Sequence, residues 1–222
     1  MDALSPTLAQ LLDRKSTPGK TRYIALKSQA LDAIGSWISQ TFPTMTDLVI
    51  CDLHTRAIAE RVVNQLVSAG RQVELVCLDP AEGDDHLVCD DTAIADVTEL
   101  LRANRSTLPI AVGSGTINDI AKMASFALGR DYVCVPTAAS MNGYTSTIGA
   151  VLSQGVKRTL PAHQPAAIFA DLDVITEAPP HMNQAGFGDL LSKPYSHADW
   201  LLSHLIRDVP YDSGPSELLD ES

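Results

Sequence analysis

Short apolar runs alternate along the chain with longer segments whose apolar side chains recur at helical spacing, which predicts a mainly parallel sheet covered on both faces. Tyr23 to Leu26 reads as a first strand, followed by a helix from about Gln29 to Gln40 with Ser28 as its cap and Leu31, Ile34 and Ile38 on one face. Leu48 to Cys51 is a second strand. It leads to a helix that carries Ile58, Val62 and Leu66 and closes at Gly70. Val73 to Leu78 is a third strand, joined through the acidic loop Asp79 to Asp85 to a helix bearing Ile94, Val97 and Leu101. From Leu108 an apolar strand runs into a Gly-Ser-Gly-Thr turn, an amphipathic helix follows, and another apolar strand ends on Pro-Thr-Ala-Ala-Ser at Ser140. The whole is an α/β pattern, a doubly wound nucleotide-binding sheet.

After Ser140 the pattern changes. Val151 to Gln154, Gly155 and Val156 to Leu160 predict a hairpin, and Ala166 to Ala170 a further buried strand. Two proline-separated helical segments follow, roughly Pro180 to Lys193 and Tyr195 to Ile206. The closing YDSGPSELLDES is acidic, contains Gly and Pro, and reads as a loose tail.

Composition narrows the classes. With 45% hydrophobic and 19% charged residues over 222 positions, the chain has the make-up of a soluble globular protein able to bury a sizeable core. No apolar run reaches the ~18 to 20 residues that cross a membrane, and MDALSPTLAQLLDRK lacks the basic-then-apolar order of a signal peptide. A cytoplasmic setting without membrane insertion is the expectation. The four cysteines, Cys51, Cys77, Cys89 and Cys134, show no CxxC spacing and read as reduced core residues. A net charge of −11 argues against nucleic acid and anionic membrane as partners, so an anionic cofactor must be held by local dipoles.

The glycine turn supplies such dipoles. Without a Cβ, Gly113 and Gly115 can take positive φ and let backbone N–H groups approach an anion. Thr116 is placed to cap a helix beginning at Ile117, whose free amides and positive dipole end would face a pyrophosphate. Asn118 stands where the dinucleotide fingerprint has a third glycine, and a tight strand-to-helix turn without a ligand has the same residues.

Four motifs in order carry a resemblance: GSGTIND (Gly113 to Asp119), PTAASMNGYTS (Pro136 to Ser146), the Asp-Leu-Asp of Asp171 to Asp173, and AGFGDLLSKPYSHADW (Ala185 to Trp200). Together the chain from about Tyr23 to Tyr211 resembles the sn-glycerol-1-phosphate dehydrogenases. These belong to the larger group holding glycerol dehydrogenase, iron-containing alcohol dehydrogenases and 3-dehydroquinate synthase. The resemblance implies that Gly113, Ser114, Gly115, Thr116 and Ile117 bind the pyrophosphate of NAD or NADP. It also implies that Thr137, Ala138, Ala139 and Ser140 line the dinucleotide, with Ser146 near the nicotinamide. Asp52, just past its strand, can accept hydrogen bonds from an adenosine ribose and favours NAD by repelling a 2′-phosphate; Arg56 offsets that, and a solvated loop aspartate is an equal reading.

Asp189 matches the family's metal-binding aspartate, which with two imidazoles holds a divalent ion, zinc or nickel; on its residues alone it also reads as a helix cap. Asn142 stands where many members carry a substrate-contacting aspartate; it can hydrogen-bond a hydroxyl but cannot act as a base. Lys193 can meet a substrate phosphate as a point charge or sit solvated at a helix end. His197 and His204, two turns apart on one helix, are too far apart to chelate one ion, and His54, His86, His163 and His181 show no ligand spacing. The expected organisation is a dinucleotide-binding domain over residues 1–178 and the start of an incomplete helical metal and substrate domain over 179–222, with the family's two histidine ligands expected beyond Ser222. Two classes follow. One is an NAD(P)-dependent, metal-requiring dehydrogenase that acts on a small polyol phosphate, interconverting dihydroxyacetone phosphate and sn-glycerol 1-phosphate. The other is a dinucleotide-binding module without catalysis. Leu201, Leu202, Leu205 and Ile206 would lack a full partner surface, which predicts a homo-oligomer or marginal stability.

Overall fold

The computed structural model describes residues 21–220 apart from Glu82 and Asp84. The stretch read above for a signal peptide, and part of the acidic loop, lie outside the described residues. Two strands from the first half of the chain lie in the interior of a six-stranded sheet: β2 (Thr46–Asp52) and, buried along its whole length, β4 (Thr107–Gly113). The others are β1 (Tyr23–Lys27), β3 (Val73–Leu78), β5 (Val133–Pro136) and, numbering past the hairpin, β8 (Ala167–Asp171). Their order is β1-β8-β5-β4-β2-β3, and every pairing is parallel. A parallel sheet covered on both faces explains the unbroken apolar runs.

Alternate residues sort to opposite faces. Val49, Cys51, Ile110 and Val112 pack with α1 (Ile34–Thr41) and α2 (Arg56–Ser68) through Ile34, Ile38, Val62 and Leu66. Leu48, Ile50, Ala111 and Cys134 face α3 (Asp91–Ala103) and α4 (Gly115–Ala127) through Val97, Leu101, Ile117 and Ile120. Going from β2 the chain moves outward to β3 and returns on the other side of β2 to form β4. The strand order therefore reverses between β2 and β4, and the crevice at their carboxyl ends is where such sheets bind ligands.

The first helix departs from expectation. It opens as a 3-10 turn over Ala30–Ala33, and Ser28 does not cap it. Gln29, at φ 58°, turns the chain so that Gln29 N and Leu31 N donate to the Asp171 carboxylate at 3.1 and 3.3 Å. β1 lies beside β8 with Lys27 opposite Asp171, which brings that distant acceptor within reach. Asp171 also accepts from Asp173 N at 3.1 Å, capping α5 (Leu172–Thr176).

β6 (Ile148–Ser153) and β7 (Val156–Pro161) form the expected antiparallel hairpin. Gln154 and Gly155 both take positive φ, 52° and 75°, as a two-residue turn matched to strand twist requires. Leu152 N donates to Cys89 O at 2.8 Å, docking the hairpin beside α3. α6 (Pro180–Leu191) and α7 (Lys193–Arg207) follow and bury no residue. The tail, expected to be loose, forms α8 (Gly214–Asp220), where Gly214 N donates to Asp212 Oδ1 at 2.9 Å. No helix among the described residues is long and apolar enough to cross a membrane.

Candidate dinucleotide and substrate site

At the carboxyl end of β4, Ser114 separates the strand from α4, which starts at Gly115. The expected Thr116 cap on a helix beginning at Ile117 does not occur: Thr116 lies within the first turn, and no side chain caps it. The ladder's first bond runs from Asn118 N to Ser114 O at 3.1 Å. The amides of Ser114, Gly115, Thr116 and Ile117 therefore have no acceptor within the helix.

The glycines serve packing rather than conformation. Neither Gly113 nor Gly115 has positive φ. A Cβ on Gly113 would lie 2.6 Å from Ile117 Cβ, and one on Gly115 would lie 3.1 Å from Met141 Sδ. Absence of a side chain lets α4 close onto the end of β4 and lets the next loop close onto α4. Ile117 is fully buried, so it can offer a ligand only its amide.

Thr137 N donates to Gly113 O at 3.2 Å, which sets the loop Thr137 to Ser140 beside the turn. Thr137 and Ala138 are buried, and Tyr144 Oη donates to Ala138 O at 2.7 Å. Ala139 N donates to Asn183 Oδ1 at 2.9 Å, tying the loop to α6. Ser146 Oγ donates to Ile148 O at 2.9 Å.

Asn142, Asp189 and Lys193, far apart in sequence, form one cluster. Asn142 N donates to Asp189 Oδ2 at 2.8 Å. With the Asn142 amide oriented to suit its neighbours, Nδ2 donates to the same carboxylate oxygen at 3.0 Å and Lys193 Nζ donates to Oδ1 at 3.1 Å. Asp189 sits in the last turn of α6, not at a helix N-terminus, so the capping reading does not hold. A carboxylate there opposes the helix dipole, and the two donors from Asn142 offset that. α6 reaches the loop because of Gly186, whose Cβ would lie only 1.7 Å from Ala139 O. Sequence reasoning missed Gly186 and Asn183. The available signal was two glycines inside a helical segment, a costly arrangement that usually has a packing reason.

Across the switch point, Asp52 Oδ1 accepts from Thr55 N and Thr55 Oγ1, both at 2.8 Å, and Thr55 Oγ1 also lies 3.0 Å from Val112 O. One carboxylate oxygen is thus engaged locally, and Oδ2 has no protein donor among the described residues. Arg56, expected to offset Asp52, pairs with Glu60 at 3.1 Å on the surface. A cleft of about 410 Å³ lies between the start of α4 and the hairpin, lined by Gly115, Thr116, Asp119, Met141, Leu152 and Lys157 among others.

The histidines stay apart from this cluster. His197 Nε2 lies 3.2 Å from Tyr211 Oη, and His204 Nδ1 lies 2.8 Å from Val209 O. Trp200 packs on Tyr211 as well, with ring centroids 5.1 Å apart, closing α7 onto the chain that follows it. His163 lies against Phe126 and Tyr132, and burial holds its pKa below the ordinary value. Among the described residues no group of three or more His, Cys, Asp and Glu could hold a metal ion. All four cysteines are free, three of them buried, and burial pushes the Cys89 thiol up to about 12.

Residues 25–179 match the family model described as iron-containing alcohol dehydrogenase. A glycerol-1-phosphate dehydrogenase, NAD(P)+, of Halalkalibacterium halodurans is 37% identical over 164 residues, covering 73% of this chain and 41% of that protein. Its namesake from Bacillus subtilis is 34% identical over 210 residues, covering 94% of this chain and 52% of that protein. The chain thus spans about half the length of the curated relatives it matches. The fold is similar to that of a probable glycerol dehydrogenase from Sinorhizobium meliloti, with a TM-score of 0.66 at 22% identity over 81% of this chain and 47% of that one. A 2-deoxy-scyllo-inosose synthase aligns with a TM-score of 0.64 at 22% identity over 76% of this chain and 49% of that one.

Proposed function

Since the chain belongs to the iron-containing alcohol dehydrogenase family, we propose that it forms the dinucleotide-binding part of an NAD(P)-dependent glycerol-1-phosphate dehydrogenase. The reaction is hydride transfer from a reduced nicotinamide to the carbonyl carbon of dihydroxyacetone phosphate, with a proton from water taken up by the carbonyl oxygen, giving sn-glycerol 1-phosphate. One observation carries this reading: the open amides of Ser114 to Ile117, the Thr137 to Ser140 loop and the Asn142–Asp189–Lys193 cluster lie in sequence around one end of the sheet.

In this reading the amides at the start of α4 hold the pyrophosphate, because they are unpaired donors at the positive end of a 13-residue helix. Thr137, Ala138, Ala139 and Ser140 line the dinucleotide, and Ser146 lies toward the nicotinamide. Asp52 presents Oδ2 to the adenosine ribose, which favours NAD, while Arg56 can turn from the exposed Glu60 toward a 2′-phosphate. The bound nicotinamide supplies the hydride. Asn142 offers amide groups to a substrate hydroxyl, and Lys193 offers a charge to its phosphate.

A divalent ion, zinc or nickel on the family resemblance, would find only an incomplete site among the described residues. Asp189 could give one carboxylate oxygen, and among the described residues no group of three or more His, Cys, Asp and Glu completes a set around it. The domain division proposed is residues 1–178 and 179–222, in a cytoplasmic setting and with self-association through the second part.

The test is a fluorescence titration of the chain with NADH and NADPH, repeated with dihydroxyacetone phosphate and a divalent metal while reduced cofactor is followed at 340 nm. Binding is the expected result, with NADH preferred. Absence of binding to either cofactor would overturn the reading of Gly113 to Ile117. Binding without consumption of reduced cofactor would favour the non-catalytic module.

A further inference from the structure

Lys122 is fully buried, yet its side chain plays no part in the proposed chemistry. An isolated ammonium in a protein interior is strongly unfavourable unless its protons meet acceptors. Lys122 Nζ finds four: Ile148 O at 2.9 Å, Asp119 Oδ1 at 3.1 Å, Ser146 Oγ at 3.2 Å and Gly143 O at 3.4 Å. Three of these lie on residues 143–148, which lead into and begin β6, and the fourth is one turn back on α4. Asp119 grips β6 just past that segment through Oδ2, which accepts from Ala150 N at 3.0 Å. The pair is itself braced from the core side: Asn118 Nδ2 donates to Asp119 Oδ1 at 3.1 Å, and Tyr132 Oη donates to Asn118 Oδ1 at 3.2 Å.

We propose that Lys122 is a positioning residue, whose buried ammonium locks residues 143–148 against the helix that begins at the glycine turn and so sets the distance from the cofactor amides to Asn142; this rests on reading that turn as the cofactor site. A methionine of similar length would fill the space but leave Asp119 without its cation and reduce the Gly143 and Ile148 carbonyls to their bonds from Ser146 N and Ser146 Oγ. A second effect follows from charge. Asp119 lines the cleft beside Gly115 and Thr116, and an uncompensated carboxylate there would repel a pyrophosphate.

The experiment compares the wild-type chain with Lys122→Met and with the double variant Asp119→Asn/Lys122→Met. NADH affinity and amide hydrogen exchange are read for each. Lys122→Met is expected to weaken NADH binding at least tenfold and to speed exchange at residues 142–150 at least tenfold, with β4 and β5 unchanged within twofold. The double variant, which removes the stray carboxylate but not the lost anchor, is expected to stay weakened. Lys122→Gln, which keeps a donor, carries the same comparison if the methionine variant does not fold. Wild-type affinity in Lys122→Met, recovery in the double variant, or exchange that rises uniformly over the sheet would each overturn the proposal. If the wild type binds no NADH, the cofactor reading fails, and localised exchange at residues 142–150 still upholds Lys122 as the anchor of that segment.

Discussion

His163 is half-buried, its Nε2 is itself shielded from water with no hydrogen-bond partner among the described residues, and its ring lies against those of Phe126 and Tyr132. Burial lowers its pKa from the ordinary 6.5, and the Asp131 carboxylate pulls it only part of the way back. The unfolded chain therefore takes up a proton at higher pH than the folded one. The stability tied to a neutral His163 is present above about pH 6.5 and is lost as pH falls through the folded value. Melting temperatures measured from pH 8 to 5 should fall more steeply for the wild type than for His163→Phe; parallel curves would show that other groups set the acid limit. Residues of this kind also mark what the sequence makes legible. Gly113 and Gly115 can be singled out from residue type and order, whereas Asn142 and Asp189 stand out only through the family resemblance. The reason Gly113 must be glycine cannot be read there, because it lies in how closely Ile117 approaches after folding.

α6 meets the loop after β5 through a glycine contact, and the two glycines of that helix give opposite expectations. Gly186→Ala would drive a methyl into the Ala139 carbonyl, so α6 must move away and the Asn142–Asp189 hydrogen bonds must lengthen. Nothing lies within 4 Å of a Cβ on Gly188. Gly188→Ala is thus expected to stabilise the helix by about 0.5–1 kcal/mol, while Gly186→Ala destabilises it by about 1–3 kcal/mol. Urea denaturation of both variants separates the two, and equal shifts would mean that α6 is not seated on the loop. The strands were readable because sheet interiors demand continuous apolar runs. The start of the first helix was not, since its acceptor, Asp171, comes from another strand and leaves no local mark beside Ser28. α8 escaped notice for a related reason, as its short acidic sequence carries no apolar periodicity.

Across the molecule, apolar surface is unevenly covered. The sheet and its helices bury most large side chains, whereas Phe187, Tyr195, Leu205 and Ile206 on α6 and α7 are 63%, 79%, 71% and 70% exposed. Water contact over such a patch favours association, so sedimentation velocity of the chain should show concentration-dependent oligomers, and Leu205→Glu/Ile206→Lys should shift them toward monomer. A monomer at every concentration would count against this expectation. A different consequence follows from the seam between β1 and β8. The donor Leu31 N and its acceptor on Asp171 are 140 residues apart, so a ribosome making this chain releases the first strand and helix long before their partner exists. At ordinary elongation rates that interval is on the order of ten seconds. During it β1 and α1 must stay free of wrong strand neighbours or be shielded by a chaperone, and the outer strand of the finished sheet is the first to emerge and among the last to dock.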